Sequence, residues 1–231
     1  MEYIIIFGLL VIILVIIFIK CYTRQKYAYR LGDMVKHKKF RNYNDGKKYH
    51  YENYPDSIAT KYMKLTNKSN NYNVLLSIIE NEEYKNNKIP DKNTIVIHLR
   101  VGDVIDRQKF SVNDFLNKPL NKTRYEKSKY NYVYNLDYYR NIINKLQITV
   151  KNIVLVYGYH YDDDHTKSEE YISKLKQFFE LNGYNVSKRT NQNADDDFIY
   201  MCNSRYFLQS GGGFSKIIAN IVRLKGNIVY T

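Results

Sequence analysis

The stretch Thr94-Ile95-Val96-Ile97-His98-Leu99 is a short, continuously apolar run, and the prediction of the fold begins from it. A strand that is buried on both faces has this composition, and such strands occur in parallel sheets covered by helices. A second run of the same kind, Asn-Ile-Val-Leu-Val-Tyr-Gly, spans residues 152–158. Strand and helix patterns alternate from residue 93 to residue 231. This alternation predicts a Rossmann-like α/β fold, in which helices cover both faces of a parallel sheet.

The remaining elements of this region continue the alternation. Helical spacing predicts helices over 111–117, 137–146, 169–181, 196–202 and 214–224, and apolar runs predict strands over 184–187, 206–209 and 227–230. Thr166 and Glu169 have the spacing of a capping box before the helix that stops at Gly183. Residues 56–86 carry two further stretches of helical spacing.

Changes in composition divide the chain into four segments. They are a transmembrane anchor over 1–20, a basic stalk or linker over 21–55, a short helical segment over 56–92 and the α/β domain over 93–231. The chain has two cysteines. This number excludes a disulfide scaffold and a four-cysteine zinc site.

Residues 3–19 are an almost unbroken run of Ile, Leu, Val and Phe without a charge. As a helix they would span about 26 Å, close to the ~30 Å hydrocarbon core of a bilayer. The run lacks the basic start and the cleavage site of a signal peptide, so we expect a single uncleaved transmembrane helix. Basic residues follow it at Lys20, Arg24, Lys26 and Arg30. The positive-inside rule then predicts a cytoplasmic soluble domain, with the lumen of the Golgi or endoplasmic reticulum as the alternative.

The net charge of +13 and the 25 tyrosines would suit a nucleic-acid binder. The lysines, however, are scattered along the whole chain rather than grouped in one stripe. This distribution favours a solvated basic surface, and we expect no nucleic-acid partner. The charge would still attract an anionic ligand.

The run His98-Leu99-Arg100-Val101-Gly102-Asp103 falls where a buried strand ends, and open parallel sheets bind ligands there. Arg100 offers a fork of donors that suits phosphate oxygens. Gly102 permits a turn and a close approach of a ligand to the backbone. Asp103 would orient Arg100 or accept sugar hydroxyls. In the alternative interpretation, the Arg100–Asp103 pair only pins the loop.

The run Ser210-Gly211-Gly212-Gly213-Phe214-Ser215 lies between the fourth predicted strand and the last helix. Glycines at a helix N-terminus expose backbone N–H groups, which form a ready anion site. Ser215 would cap the helix or donate to a phosphate. The glycine spacing fits neither an ATP-type phosphate loop nor a dinucleotide fingerprint, and a plain strand–helix turn is the alternative.

Two acidic runs carry weaker signals. Asp195-Asp196-Asp197 precedes a helix, so capping explains part of it, and one carboxylate could also reach a base or ribose. Asp162-Asp163-Asp164-His165 is rich in oxygen ligands, but adjacent carboxylates point in several directions, which favours a solvated loop. The histidines lack a metal-ligand spacing, and we expect neither a metal site nor a cofactor.

Two of these stretches resemble the signatures of a known family. The run from His98 to Asp103 is similar to His-x-Arg-x-x-Asp, the first signature of the alpha-1,2, alpha-1,6 and protein-O-fucosyltransferase superfamily. Residues 197–215 (Asp-Phe-Ile-Tyr-Met-Cys-Asn-Ser-Arg-Tyr-Phe-Leu-Gln-Ser-Gly-Gly-Gly-Phe-Ser) resemble a later signature: an Asp, a short helix, a strand and a Gly-rich turn with Phe-Ser. The two motifs stand in the family's order, and the resemblance covers roughly residues 93–231.

The resemblance implies the donor-binding domain of a GT-B glycosyltransferase, inverting and metal-independent. It would transfer a sugar from a GDP-sugar donor, GDP-fucose first among them, to a hydroxyl of a glycan or glycoprotein acceptor. By similarity, Arg100 would bind the donor phosphate and Asp103 would hold the Arg or the sugar, with Asp106 as the nearest candidate for a general base. The residues implied to bind the donor are His98, Arg100, Gly102, Tyr159, His160, Asp197, Ser210, Gly211, Gly212, Phe214 and Ser215.

The chain departs from the family pattern at two points. Many members carry a second Arg directly after the first, where this chain has Val101. Residues 27–92 are also too few for a full second domain, which would carry the acceptor. These departures favour the alternative function, a non-catalytic relative that acts as a membrane-tethered glycan- or partner-binding protein.

Overall fold

The computed structural model describes residues 31, 35, 56–86, 89–117, 132–147, 149–159, 164–190 and 194–231. The predicted transmembrane segment and all of the predicted stalk except residues 31 and 35 lie outside this part of the chain. Among the residues that the structure does describe, no helix combines the length and apolar character that crossing a membrane requires. The chain divides into two compact units, Met1–Ile78 with Asn193–Asp195, and Ile79–Gln192 with Asp196–Thr231.

The two helices predicted within 56–86 are confirmed as α1 (Ile58–Leu65) and α2 (Tyr72–Asn86). Ser57 caps α1, because its hydroxyl accepts a hydrogen bond from the backbone N–H of Thr60 at 3.2 Å. The Asp195 carboxylate also serves this helix start by accepting a hydrogen bond from the N–H of Ile58 at 3.2 Å. The first residue of the predicted triple-Asp run is therefore engaged in a helix cap.

An all-parallel sheet of five strands forms the centre of the second unit. The strands are β1 (Thr94–His98), β2 (Asn152–Val156), β3 (Asn185–Arg189), β4 (Tyr206–Leu208) and β5 (Ile228–Tyr230). They lie in the order β3-β2-β1-β4-β5, and Ile97 of β1 stands beside Leu155 of β2 and Leu208 of β4. The predicted parallel α/β sheet is confirmed, with small shifts at the strand ends.

Helices connect the strands, as alternation predicts. They are the 3-10 turn η1 (Gly102–Val104), α3 (Val112–Asn117), α4 (Leu136–Ile143), α5 (Thr166–Leu181), α6 (Ala194–Cys202) and α7 (Gly213–Leu224). Each predicted helix of this region is present, although α5 and α6 begin earlier than predicted and α4 ends earlier.

Alternation of side chains along β1 divides the core between the two faces of the sheet. Ile95 and Ile97 lie on one face and belong to a buried cluster with side chains of α3, α4 and α5, namely Phe115, Tyr139, Ile142, Tyr171, Ile172, Leu175 and Phe179. His98 lies on the other face, where its ring contacts that of Phe214 from α7 edge-on, with 5.7 Å between centroids. The sheet is therefore flanked by helices on both faces.

The predicted capping box of Thr166 and Glu169 is wrong. Helix α5 begins at Thr166 itself, and Asp164 Oδ1 accepts a hydrogen bond from the Thr166 N–H at 2.9 Å. The Glu169 carboxylate accepts hydrogen bonds from the hydroxyls of Tyr157, at 3.3 Å, and Tyr159. The Glu169 carboxylate therefore binds two tyrosine hydroxyls after β2 rather than a backbone N–H at the start of α5.

Candidate functional site

The order of the strands places a crevice beside β1. Strands β2 and β3 extend the sheet on one side of β1, and β4 and β5 extend it on the other. In open parallel sheets ligands bind where the order reverses, outside the carboxyl ends of the strands. Both predicted motifs border this point, since residues 98–103 begin at the end of β1 and residues 210–215 follow β4.

The two motifs are in direct contact. The hydroxyl of Ser210 lies 2.7 Å from Nδ1 of His98, although 112 residues separate them in sequence. The backbone N–H of Ser210 donates to the hydroxyl of Ser215 at 3.0 Å, which closes the turn into α7. Residues far apart in the chain thus form one continuous rim at the carboxyl edge of β1 and β4.

His98 is a neutral group in this rim. Burial, and after it the positive charge of Arg100, lower the pKa of His98 to about 3. An imidazole with so low a pKa is a weak base and does not activate a serine hydroxyl. The Ser210–His98 contact therefore positions the turn, and a serine-nucleophile mechanism does not fit it.

Arg100 is held in one orientation by its own loop. Its guanidinium donates to the carbonyl of Val101 at 2.9 Å and to Asp103 Oδ1 at 2.7 Å. The Arg100 and Asp103 side chains are 21% and 23% exposed, so the pair is reachable from solvent. A guanidinium carries more N–H donors than these two bonds use. The predicted pair is present, and its geometry suits both the phosphate role and the pinning role.

Gly102 occupies a conformation that side chains disfavour, with a φ of +75°. Its N–H donates to the hydroxyl of the fully buried Ser168 at 2.9 Å. The loop after β1 is thereby tied to the first turn of α5. The Gly102 N–H is thus engaged by a side chain. The predicted close approach of a ligand to the Gly102 backbone stays a prediction.

The glycine turn leads into a helix whose N-cap residue is a glycine. Gly212 precedes α7 with φ +96° and ψ 163°, and it has no side chain that could accept from the first N–H groups of the helix. The first N–H groups of a helix have no partner within it, and the helix dipole places partial positive charge there. Together with Arg100, this end of the crevice has the chemistry of a site for a phosphate or another anion.

Asp197 is paired at the edge of the site. Its Oδ1 accepts a hydrogen bond from Arg189 Nε at 2.7 Å, and the Arg189 guanidinium lies over the ring of Tyr200 at 4.3 Å. Burial outweighs this ion pair and raises the pKa of Asp197 to about 6. The neighbouring Phe198 contacts the Phe214 ring, with 5.6 Å between centroids. Asp197 thus lies on α6, next to the residue whose ring contacts Phe214 of α7.

A second polar group lies beside the end of β2. Asp106 Oδ1 accepts a hydrogen bond from the Ser168 N–H at 2.8 Å, and Oδ2 lies 3.0 Å from Nδ1 of His165. The Tyr159 ring stacks on the imidazole, with 3.7 Å between centroids and 8° between planes. Burial and the neighbouring Glu169 carboxylate raise the pKa of Tyr159, so its hydroxyl stays protonated.

The predicted site residues therefore fall into three places. His98 contacts Ser210 and Phe214 of the glycine turn, which also contains Gly211, Gly212 and Ser215. Arg100, Gly102 and Asp103 follow His98 in the loop after β1. Asp106 and Tyr159 belong to the group beside β2, and Asp197 pairs with Arg189 at the end of β3. His160 lies outside the described residues, as do Asp162 and Asp163. Within the described part of the chain, no three His, Cys, Asp or Glu side chains are grouped to hold a metal ion.

Sequence reasoning missed His165, Ser168 and Arg189 as members of these groups. His165 and Ser168 lie at the start of the helix that follows β2, and Arg189 ends β3. A rule that inspects every carboxyl end of a parallel strand would have found Arg189. His165 and Ser168 lie well beyond the end of β2 and join their groups through tertiary contacts with Asp106. A scan against protein-family models matched no family, and a search of curated proteins found no match to this chain.

Proposed function

We propose that this chain is a glycosyltransferase of the fucosyltransferase type. It transfers a sugar from a GDP-sugar, GDP-fucose first among them, to a hydroxyl of a glycan or glycoprotein. The observation that carries the proposal is the 2.7 Å contact between Ser210 and His98. This contact joins the two motifs on which the family resemblance rests, at the edge where parallel sheets bind nucleotides.

The proposed roles follow from charge. When the bond between the sugar and the diphosphate breaks, negative charge develops on the leaving phosphate. Arg100 offsets that charge, and its fixed orientation means that little reorganisation accompanies the reaction. The start of α7 binds the rest of the diphosphate through backbone N–H groups. As the resemblance implies, we propose an inverting transfer that is independent of metal ions, with the positive charge at the leaving phosphate supplied by Arg100 and the start of α7.

The proposal includes the apolar segment 3–19 as a single membrane anchor. The basic residues that follow it favour a cytoplasmic catalytic domain, and the lumen of the Golgi or endoplasmic reticulum remains the alternative. An anchored enzyme of this kind would act on acceptors that are held at a membrane surface.

Thermal unfolding of the full chain in mild detergent tests the donor site. The ligands are GDP, GDP-fucose, GDP-mannose and a UDP-sugar, each with and without EDTA. A ligand at ~100-fold excess over its dissociation constant adds about 2.7 kcal/mol of stability, which is a readily measured shift. We expect a shift with the GDP compounds that EDTA leaves unchanged. A response to none of the nucleotides would contradict the proposal.

Replacement of Arg100 by Ala is the matching mutational test. We expect Arg100→Ala to abolish release of GDP from the donor, because the leaving charge loses its counterion. Arg140→Ala is the matched control, since Arg140 also pairs with an Asp three residues away but does so on the exposed surface of α4. The control should keep the wild-type rate. Near-normal turnover in Arg100→Ala would exclude the assigned role.

One observation favours the second candidate, a non-catalytic binding protein. Arg100 bonds to Val101 and Asp103 of its own loop, which is what a structural pin would do. If Arg100 only pins the loop, Arg100→Ala should lower the unfolding temperature. No nucleotide should then shift the unfolding temperature of the wild-type chain. The thermal series above therefore separates the two functions.

A further inference from the structure

Asp106 is the carboxylate that the sequence offers as a general base, but its surroundings do not suit that task. Its side chain is 4% exposed. One oxygen accepts the Ser168 N–H and the other lies against His165. A group that takes a proton from an acceptor must come within hydrogen-bond distance of it. Asp106 is buried beneath the surface that an acceptor would touch.

His165 is the exposed partner in this pair. Its side chain is 20% exposed, and its Nδ1 lies 3.0 Å from Asp106 Oδ2. A carboxylate at Nδ1 favours the tautomer with the proton on that nitrogen, which leaves the lone pair on Nε2. The stacked Tyr159 ring fixes the plane of the imidazole, and Glu169 holds Tyr159 through its hydroxyl. The arrangement is an oriented Asp–His dyad.

The position of the dyad suits an inverting displacement. In such a step the attacking hydroxyl and the leaving phosphate lie on opposite sides of the reacting carbon. The glycine turn and the start of α7 lie on the β4 side of β1, whereas His165 precedes α5 on the β2 side. A sugar at the end of β1 would therefore have the glycine turn on one side and His165 on the other.

We infer that His165 is the general base of the transfer, and that Asp106 is the positioning residue that orients it. This inference rests on the proposed function. His165 Nε2 takes the proton of the acceptor hydroxyl while the acceptor oxygen bonds to the anomeric carbon. The bond from that carbon to the phosphate oxygen breaks, and its electron pair leaves with GDP beside Arg100. The imidazolium then returns its proton to solvent.

Transfer to water provides an assay that needs no identified acceptor. GDP release from GDP-fucose is measured on the full chain, in mild detergent, across a pH series. His165→Gln should lower the rate by about 10²-fold or more while the thermal shift with GDP persists. The wild-type rate should fall toward acidic pH, because a protonated imidazole accepts no proton, and His165→Gln should lack this acidic limb. Within the described part of the chain, the charged or titratable groups shown against His165 include Asp106, Asp164 and Tyr159.

Asp106→Asn tests the positioning role without removing the helix contact. The amide oxygen can still accept the Ser168 N–H, but the amide nitrogen donates to His165 Nδ1 and forces the proton onto Nε2. We therefore expect Asp106→Asn to lose turnover as His165→Gln does, with GDP binding retained. Asp137→Asn is the matched control, because Asp137 pairs with Arg140 on the exposed surface of α4, and it should keep the wild-type rate.

The outcomes separate the inference from the proposed function. If the wild-type chain shows no GDP-selective thermal shift, the proposed function fails and the inference falls with it. If GDP binds and GDP is released at wild-type rates by His165→Gln or Asp106→Asn, the inference alone is overturned. Loss of turnover in both variants, with GDP binding and the Asp137→Asn rate intact, supports it.

Discussion

The carboxyl of Asp197 should make the protein less stable as the pH rises, which is the reverse of the usual behaviour of an ion-paired acid. Its side chain is 12% exposed and lies 2.7 Å from Arg189. Burial disfavours the charged form more than Arg189 favours it, and the net effect raises the pKa of Asp197 from 3.8 to about 6. Replacement by Asn removes the titration while keeping the shape of the side chain.

The direction of this pH effect depends on whether the folded or the unfolded chain releases the Asp197 proton at the lower pH. Between about pH 4 and pH 6 the unfolded chain has lost the Asp197 proton while the folded chain still holds it. Stability therefore falls as the pH rises through this window. A difference of roughly two pKa units corresponds to about 3 kcal/mol, as an upper figure for this residue alone.

Urea unfolding of wild type and Asp197→Asn at pH 4, 5, 6 and 7 measures this effect. The difference in unfolding free energy between the two proteins cancels every other titrating group that the substitution does not touch. We expect wild type to lose up to ~3 kcal/mol relative to Asp197→Asn between pH 4 and pH 7. A gain of wild type over the variant with rising pH would refute the reasoning, because Arg189 would then dominate over burial.

Two further substitutions test the glycine turn. Gly212→Ala should cost about 1–3 kcal/mol in urea unfolding, because φ +96° and ψ 163° form a region that only glycine adopts readily; Gly213→Ala, with no atom within 4 Å of the new Cβ, is the control and should cost nothing. Ser215→Ala should cost about 1–3 kcal/mol by leaving the Ser210 N–H buried without its acceptor, and unchanged stability would show that the turn finds another partner.

The alternation of strands and helices could be predicted because buried parallel strands are short apolar runs. Ile95, Val96 and Ile97 are β-branched and belong to a run too short for a typical helix, which favours a buried strand. The element ends were less certain, since polar residues such as Lys188 and Arg189 extend β3 beyond its apolar part. The order of the strands depends on pairing between residues that are distant in the sequence, and the local hydrophobic pattern does not predict it.

The site could be predicted in part for the same reason. The Arg100–Asp103 pair is local, and a spacing of three residues suffices to suggest it. The pairing of Asp106 with His165 spans 59 residues and depends on how α5 packs against the loop after β1. The run Asp162-Asp163-Asp164-His165 predicted a solvated loop, because adjacent carboxylates point in several directions. No neighbour in sequence reveals that Asp106 is the partner of His165. The roles of such side chains depend on contacts with residues that are distant in the sequence. Short stretches of sequence do not reveal these contacts.

Ser168 has a consequence for how the site would meet a ligand. Its hydroxyl accepts the Gly102 N–H at 2.9 Å, its own N–H donates to Asp106 at 2.8 Å, and the Asp106 N–H donates to the Gly102 carbonyl at 2.8 Å. These three hydrogen bonds form a closed ring that fixes the turn after Arg100. The conformational entropy of this turn is lost when the chain folds and not when a ligand arrives. If the proposed donor binds here, adaptation to donors of different size would fall to the glycine turn after β4, where single substitutions would reshape specificity while this ring of hydrogen bonds keeps its geometry.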